Sequence, residues 1–172
     1  IRINGICPGQ QTKSMISSRK HGYHMNQRMK ISDILNLFSD FYADFDRKRA
    51  EQMLTDLKIS KEEKLKTMSK GTKEKVQLIL VMSRRASLYL LDEPIGGVDP
   101  ATREYILHTI LKNFDENSSI LITTHLIQDV ETIFDQVLFL NQGKIVIDGE
   151  VDEIREKYGK SIDGLFREVF RC

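Results

Sequence analysis

The run Leu88-Tyr89-Leu90-Leu91-Asp92-Glu93-Pro94 constrains this chain more than any other. It is an apolar segment that stops on two adjacent carboxylates and then a proline. Such a run, closed by a turn signal, reads as a strand buried on both faces. In open α/β sheets, ligands sit at the carboxyl ends of strands. Asp92 and Glu93 therefore stand where chemistry is expected. Two neighbouring acids suit two tasks, an oxygen ligand for a hard cation and a base for a water. A solvated acidic turn would carry the same residues, so the context has to decide.

That context is specific. Ile95-Gly96-Gly97-Val98-Asp99-Pro100 reads as a loop running into a helix, with Asp99 as its cap and Pro100 at its first position. A second apolar strand, Ser119 to Thr123, is followed by Thr124 and His125, so His125 belongs to the same sheet edge as Asp92 and Glu93. Upstream, Met68-Ser69-Lys70-Gly71-Thr72 opens an apolar helix. Its small, Gly-containing start leaves backbone N–H groups free for an anion.

In this order the pieces resemble the nucleotide-binding domain of ABC-type ATPases. Met68 to Thr72 looks like the signature motif, and Leu88 to Asp92 like Walker B. Glu93 stands at the catalytic glutamate, Gly97-Val98-Asp99 at the D-loop and His125 at the switch histidine. The resemblance is nearest to ATPase subunits of bacterial ABC transporters encoded beside GntR-type repressors. Those share the Ser-Lys-Gly form of the signature and a C-terminal tail like Val151 to Cys172.

The departures are as informative. Lys70 replaces the first Gly of the commoner signature, and Thr72 replaces its Gln. No G-x-x-x-x-G-K-[ST] occurs in the 172 residues. Gly159-Lys160-Ser161 imitates its end, but Ile154 holds the place of the first Gly. Ile1 to Gly5 resembles the strand and turn that follow the phosphate-loop helix in the family. The expectation is a fragment without the N-terminal strand, phosphate loop and helix, with a natural relic as the alternative. For the Q-loop position, Gln27 is the chemical candidate and His21 the one given by a gap-free alignment. A polar surface loop with no ligand role is the third reading.

The resemblance implies an α/β, P-loop NTPase (RecA-like, ABC-type) core fragment with an all-helical subdomain. Residues 1–172 form a partial ATPase domain, with the helical part at about 30–75, the core at about 76–150 and C-terminal helices at 151–172. Ser32 is expected to cap one helix, with Ile34, Leu35, Leu37, Phe38, Phe41 and Tyr42 inward. Asp46 is expected to cap the next, with Ala50, Met53, Leu54 and Leu57 inward. Helices are expected at Thr72–Ala86, Pro100–Phe114 and Leu126–Phe134. Strands follow at Val137–Leu140 and, after the turn Asn141-Gln142-Gly143, at Lys144–Ile147.

By the same resemblance ATP and Mg²⁺ are the cofactors. Asp92 would hold the metal, Glu93 would activate the water, and His125 would contact the γ-phosphate. Ser69, Lys70, Gly71, Thr72, Asp99 and Gln27 would bind nucleotide, the signature acting across a head-to-tail pair of ATPase domains. The implied partners are a membrane permease subunit and a second ATPase domain. The implied place is the cytoplasmic face of the cell membrane, peripherally bound.

Composition agrees with that setting. Lys and Arg number 26 against 25 Asp and Glu, a net charge of +1, which gives no support to nucleic-acid binding by bulk charge. The alternative of a soluble ABC-type ATPase of DNA repair or translation is the weaker one for that reason. Cys7 and Cys172 have no metal spacing. The longest strongly apolar stretch, Val76 to Met82, is interrupted by Gln77 and too short to span a bilayer.

Overall fold

A computed structural model describes residues 2–19, 25–113 and 115–170. It divides into two compact units, Ile1–Thr124 and His125–Cys172.

The first unit is built on a three-stranded parallel sheet in the order β1 (Ile16–Arg19), β2 (Leu88–Asp92), β3 (Ser119–Thr123). A short helix, α1 (Gln10–Ser14), precedes β1. Helices α2 (Ile31–Phe41), α3 (Arg47–Asp56) and α4 (Lys70–Met82) lie between β1 and β2, and α5 (Pro100–Lys112) joins β2 to β3. Parallel neighbours need such crossovers, and the helices bury the apolar strands. Along β2, Tyr89 and Leu91 are buried while Leu88 and Leu90 are half-buried. The central strand is thus covered more fully on one face than on the other, not equally on both as its sequence suggests. On β3, Leu121 is 49% exposed.

Two helix boundaries move for identifiable reasons. Helix α2 begins at Ile31, with Lys30 as its N-cap; Ser32 is not the cap. The Asp33 carboxylate accepts from the Lys30 N–H, and the N–H groups of Ile31 and Ser32 donate to Glu63 and Lys61 carbonyls. Helix α4 ends at Met82 rather than Ala86. Past it, the Ser83 carbonyl takes the Asp46 N–H and Arg84 bridges to Phe45, so the backbone is diverted toward the start of α3. At α3 itself the Asp46 side chain accepts from the Arg49 N–H as expected, with Ala50, Met53 and Leu54 buried.

The aromatic stripe divides. Phe38 is buried and stacks on Tyr42 and Phe45 at 5.3 and 5.5 Å. Phe41 is 75% exposed and Leu37 40%, so neither belongs to the core. Helix α2 is amphipathic over a narrower arc than the run of apolar letters suggests.

Arg84 ties this unit together. Its guanidinium pairs with Asp44, donates to the carbonyls of Ile16 and Ser14, and lies 4.0 Å from the Tyr42 ring centroid. Arg84→Met keeps the apolar stem but strands these acceptors. Breaking a buried pair costs ~3–5 kcal/mol. Because Asp44 is 27% exposed, the loss should fall near the low end of that range. Urea unfolding of the variant measures it; a change within experimental error would mean the network is not stabilising.

The second unit holds α6 (Ile127–Val130), the antiparallel hairpin β4 (Gln136–Asn141) and β5 (Lys144–Glu150), then α7 (Val151–Tyr158) and α8 (Ile162–Phe170). The two-residue turn Gln142-Gly143 takes positive φ at both positions, +48° and +76°, as a tight hairpin demands. Helix α6 is much shorter than the Leu126–Phe134 segment suggests. The chain turns after Val130, and the Asp135 carbonyl is held by the Val151 N–H. Strand β5 in turn runs on to Glu150. Ile127, Val137, Phe139, Val151, Ile154, Ile162 and Leu165 form this unit's core, with Phe139 edge-on to Phe166.

Candidate functional site

The carboxyl edge of β2 carries the acids. Asp92 pairs in register with Thr123, whose hydroxyl donates to Asp92 Oδ1 at 2.6 Å. Asp92 Oδ2 is left without a partner among the described residues. Glu93 continues the ladder, its N–H donating to the Thr123 carbonyl at 2.9 Å. Its backbone then turns sharply, at φ +44°. A non-glycine residue in that region stores strain of ~1–3 kcal/mol and is commonest at functional positions. The Glu93 carbonyl accepts from the Gly96 N–H, and the Thr124 hydroxyl donates to Glu93 Oε2 at 3.3 Å. The two acids are therefore held by adjacent threonines, Thr123 at the end of β3 and Thr124 just past it. Those threonines were missed in the sequence; a polar Thr-Thr pair ending an apolar strand was the available signal.

Arg19, also missed, ends β1 opposite Leu91. Its side chain is 3% exposed and forms an ion pair with Glu74 of α4. Burial lowers the Arg19 pKa from its ordinary value, an effect that Asp92 partly offsets.

The signature and D-loop residues form a second cluster. Ser69 caps α4: its hydroxyl accepts from the Thr72 N–H at 3.1 Å and shares a 2.8 Å hydrogen bond with the Thr72 hydroxyl. Asp99 caps α5 in the same way, taking the Thr102 N–H at 3.0 Å and hydroxyl at 2.7 Å. The hydroxyl bond, followed by the backbone one, holds the Asp99 carboxyl below the usual carboxylate range. The two helix starts meet at Gly71. A Cβ there would lie 3.4 Å from Thr102 Oγ1 and 3.6 Å from Asp99 Oδ2. Lys70 is exposed and lies over the loop that follows β2. Its ammonium covers Gly97, where a Cβ would come within 2.6 Å of Nζ and where φ is +68°.

The remaining candidates are described singly. Gln27 is exposed, and its amide donates to the Met25 carbonyl at 3.3 Å. His21 lies outside the described residues. His125 is exposed and is the first residue of the second unit.

Among the described residues no three His, Cys, Asp or Glu side chains cluster as a cation cage. Mg²⁺ does not require one, since it is usually held through one or two carboxylates with substrate phosphates and water. Asp92, exposed and with a free oxygen, fits that role, and Glu93 is the adjacent carboxylate.

A parallel sheet with acids at the carboxyl end of its central strand, flanked by two capped helix starts, defines the P-loop type of α/β ATPase core. The family described as "AAA domain, putative AbiEii toxin, Type IV TA system" matches residues 15–128. The chain is 30% identical over 128 residues to the ABC transporter ATP-binding protein YtrB of Bacillus subtilis, covering 74% of this chain and 44% of that protein. It is 32% identical over 133 residues to an ABC transporter ATP-binding protein, MJ1023, of Methanocaldococcus jannaschii, covering 74% and 51% respectively. A solved ATP-binding subunit of an ABC transporter superposes with a TM-score of 0.85 at 23% identity, over 98% of this chain and 75% of that one. The chain belongs to this AAA-domain family, and it is a homologue of ABC transporter ATP-binding proteins. It spans about half the length of the curated relatives it matches.

Proposed function

We propose that this chain is the catalytic-carboxylate part of the ATP-binding subunit of a bacterial ABC transporter, which couples ATP hydrolysis to transport through a separate membrane permease. The observation that carries the reading is Glu93, placed past the end of β2 at positive φ with its carboxylate held by Thr124. A carboxylate fixed beside a metal ligand can accept the proton of an attacking water. Asp92 would hold Mg²⁺, and the ion would supply charge neutralisation at the phosphate oxygens. Phosphoryl transfer to water otherwise rests on positioning and charge. His125 contacts the γ-phosphate, and a neutral imidazole can donate or accept there.

The capped start of α4 supplies N–H groups and the Ser69 hydroxyl to nucleotide on a second ATPase domain. Lys70, Gly71 and Thr72 complete that surface. Asp99 and the loop beneath Lys70 link the two sites across the pair. Gln27 or His21 fills the Q-loop position, and the surface of α2 receives the permease. Exposed Phe41 on α2 suits that contact. No helix among the described residues is long and apolar enough to cross a membrane, so on this reading the spans belong to the permease and the subunit sits peripherally at the cytoplasmic face.

The test is recovery of the full-length protein from its source membranes by affinity tag. An integral membrane protein should accompany it in stoichiometric amount, with ATPase activity. Recovery with DNA or ribosomes and no integral protein would place it among the soluble ABC-type ATPases.

A further inference from the structure

Thr123 touches both acids of the β2 edge. Its carbonyl accepts from the Glu93 N–H at 2.9 Å, and its hydroxyl donates to Asp92 Oδ1 at 2.6 Å. The register accounts for the second contact. Asp92 and Thr123 are paired across β2 and β3, so their side chains leave the same face of the sheet side by side. Threonine is stiff about χ1 because it branches at Cβ. Neither partner therefore reaches the other through a flexible stem.

A bond of this length from a hydroxyl to an ionised carboxylate is of the short, charge-assisted kind. Thr123 is exposed, so water could serve its hydroxyl and burial does not force the contact. The bond makes the two oxygens of Asp92 unequal. Oδ1 is engaged, and Oδ2 has no hydrogen-bond partner among the described residues.

That inequality bears on which cation the carboxylate suits. Mg²⁺ is small, demands near-octahedral surroundings and keeps several waters, so it takes few protein oxygens. Ca²⁺ accepts more oxygens in looser surroundings and can take both from one carboxylate. Offering both oxygens of Asp92 would break the Thr123 bond. Offering Oδ2 alone leaves that bond intact.

We propose that Thr123 is a positioning residue that sets cation preference. Its hydroxyl, by engaging Oδ1, restricts Asp92 to one available oxygen and favours Mg²⁺ over Ca²⁺. The inference rests on Asp92 as the metal ligand, the role proposed above, and the two can fail separately. Thr123 acts through Asp92 and needs no contact of its own with metal or nucleotide. Hydrogen bonds that orient a metal ligand are typically worth ~10–100-fold in metal affinity.

The test is calorimetric binding of a non-hydrolysable ATP analogue, adenylyl imidodiphosphate, to the full-length protein that contains this chain. It is run once with Mg²⁺ and once with Ca²⁺, and no turnover enters the measurement. The unaltered protein should bind the Mg²⁺ complex more tightly. Thr123→Val keeps the branched shape and loses the donor. It should weaken the Mg²⁺ complex ~10-fold and the Ca²⁺ complex by less, so that the preference shrinks. Thr123→Ser keeps the hydroxyl and should keep the preference. If the valine variant does not fold, Thr123→Ala carries the same expectation. Asp92→Asn should weaken both complexes and remove the preference. If it does so while neither Thr123→Val nor Thr123→Ala changes the preference, the proposal is overturned and the role of Asp92 stands. If Asp92→Asn leaves the preference unchanged, Asp92 is not the ligand and both fall. The absence of any preference in the unaltered protein overturns the proposal. So does a loss in Thr123→Ser as large as in Thr123→Val.

Discussion

Glu93→Gln, made in the full-length protein that contains this chain, is expected to abolish turnover while leaving nucleotide binding in place. The amide keeps the shape of the side chain and one oxygen for the Thr124 hydroxyl, so the turn after β2 should persist. What it loses is basicity. Removal of a positioned general base typically lowers the rate ~10²–10⁴-fold. The positive φ of residue 93 is a backbone feature that Gln tolerates no worse than Glu, so the variant isolates chemistry from folding. With hydrolysis blocked and binding intact, ATP should trap the paired form of the subunit. Single-turnover phosphate release, set against nucleotide affinity of the same preparation, separates the two effects. Release at a near wild-type rate would show that Glu93 is not the base.

Much of this site was legible because its determinants are local. The caps at Ser69 and Asp99 are contacts three residues apart in sequence, and such patterns are written directly into a short segment. The strand ending on Asp92 and Glu93 is local in the same sense. The Asp46 cap of α3 and the Gln142-Gly143 turn follow the same logic.

What could not be read is non-local. Arg19 meets Glu74 across 55 positions, and Thr123 meets Asp92 across 31. Nothing near Arg19 in the sequence marks it as a buried cation in an apolar strand. The Ser32 expectation failed for a related reason. Its N–H and that of Ile31 are taken by Lys61 and Glu63, and this distant pairing draws the helix start back to Lys30. Phe41 shows the limit of periodicity. Spacing places it near the apolar arc of α2, but only the surrounding layers decide where that arc ends, and it lies 75% exposed. The covering of β2 is likewise a property of its neighbours rather than of Leu88 to Leu91.

The 172-residue polypeptide on its own is expected neither to hydrolyse ATP nor to bind it with micromolar affinity. A phosphate loop contributes a cradle of backbone N–H groups, a Lys and a Mg²⁺-ligating hydroxyl. The one run that imitates its sequence is committed elsewhere. Gly159 takes φ +63° to close α7. Lys160 forms an ion pair with Glu168, and the Ser161 hydroxyl accepts from the Gly164 N–H at 3.0 Å. At the acidic edge, Asp92 and Glu93 would face the triphosphate with like charge. Mg²⁺ can relieve that repulsion but cannot replace the missing donors. A micromolar Kd corresponds to roughly −8 kcal/mol. A helix start such as that of α4 contributes only ~0.3–1 kcal/mol toward a charge at an exposed site, far short of that total. Calorimetric titration with Mg-ATP, combined with a phosphate-release assay, decides the matter. Heats indistinguishable from dilution and no release are the expected result. Saturable micromolar binding with phosphate release would mean that the nucleotide is held by residues other than those at the β2 edge.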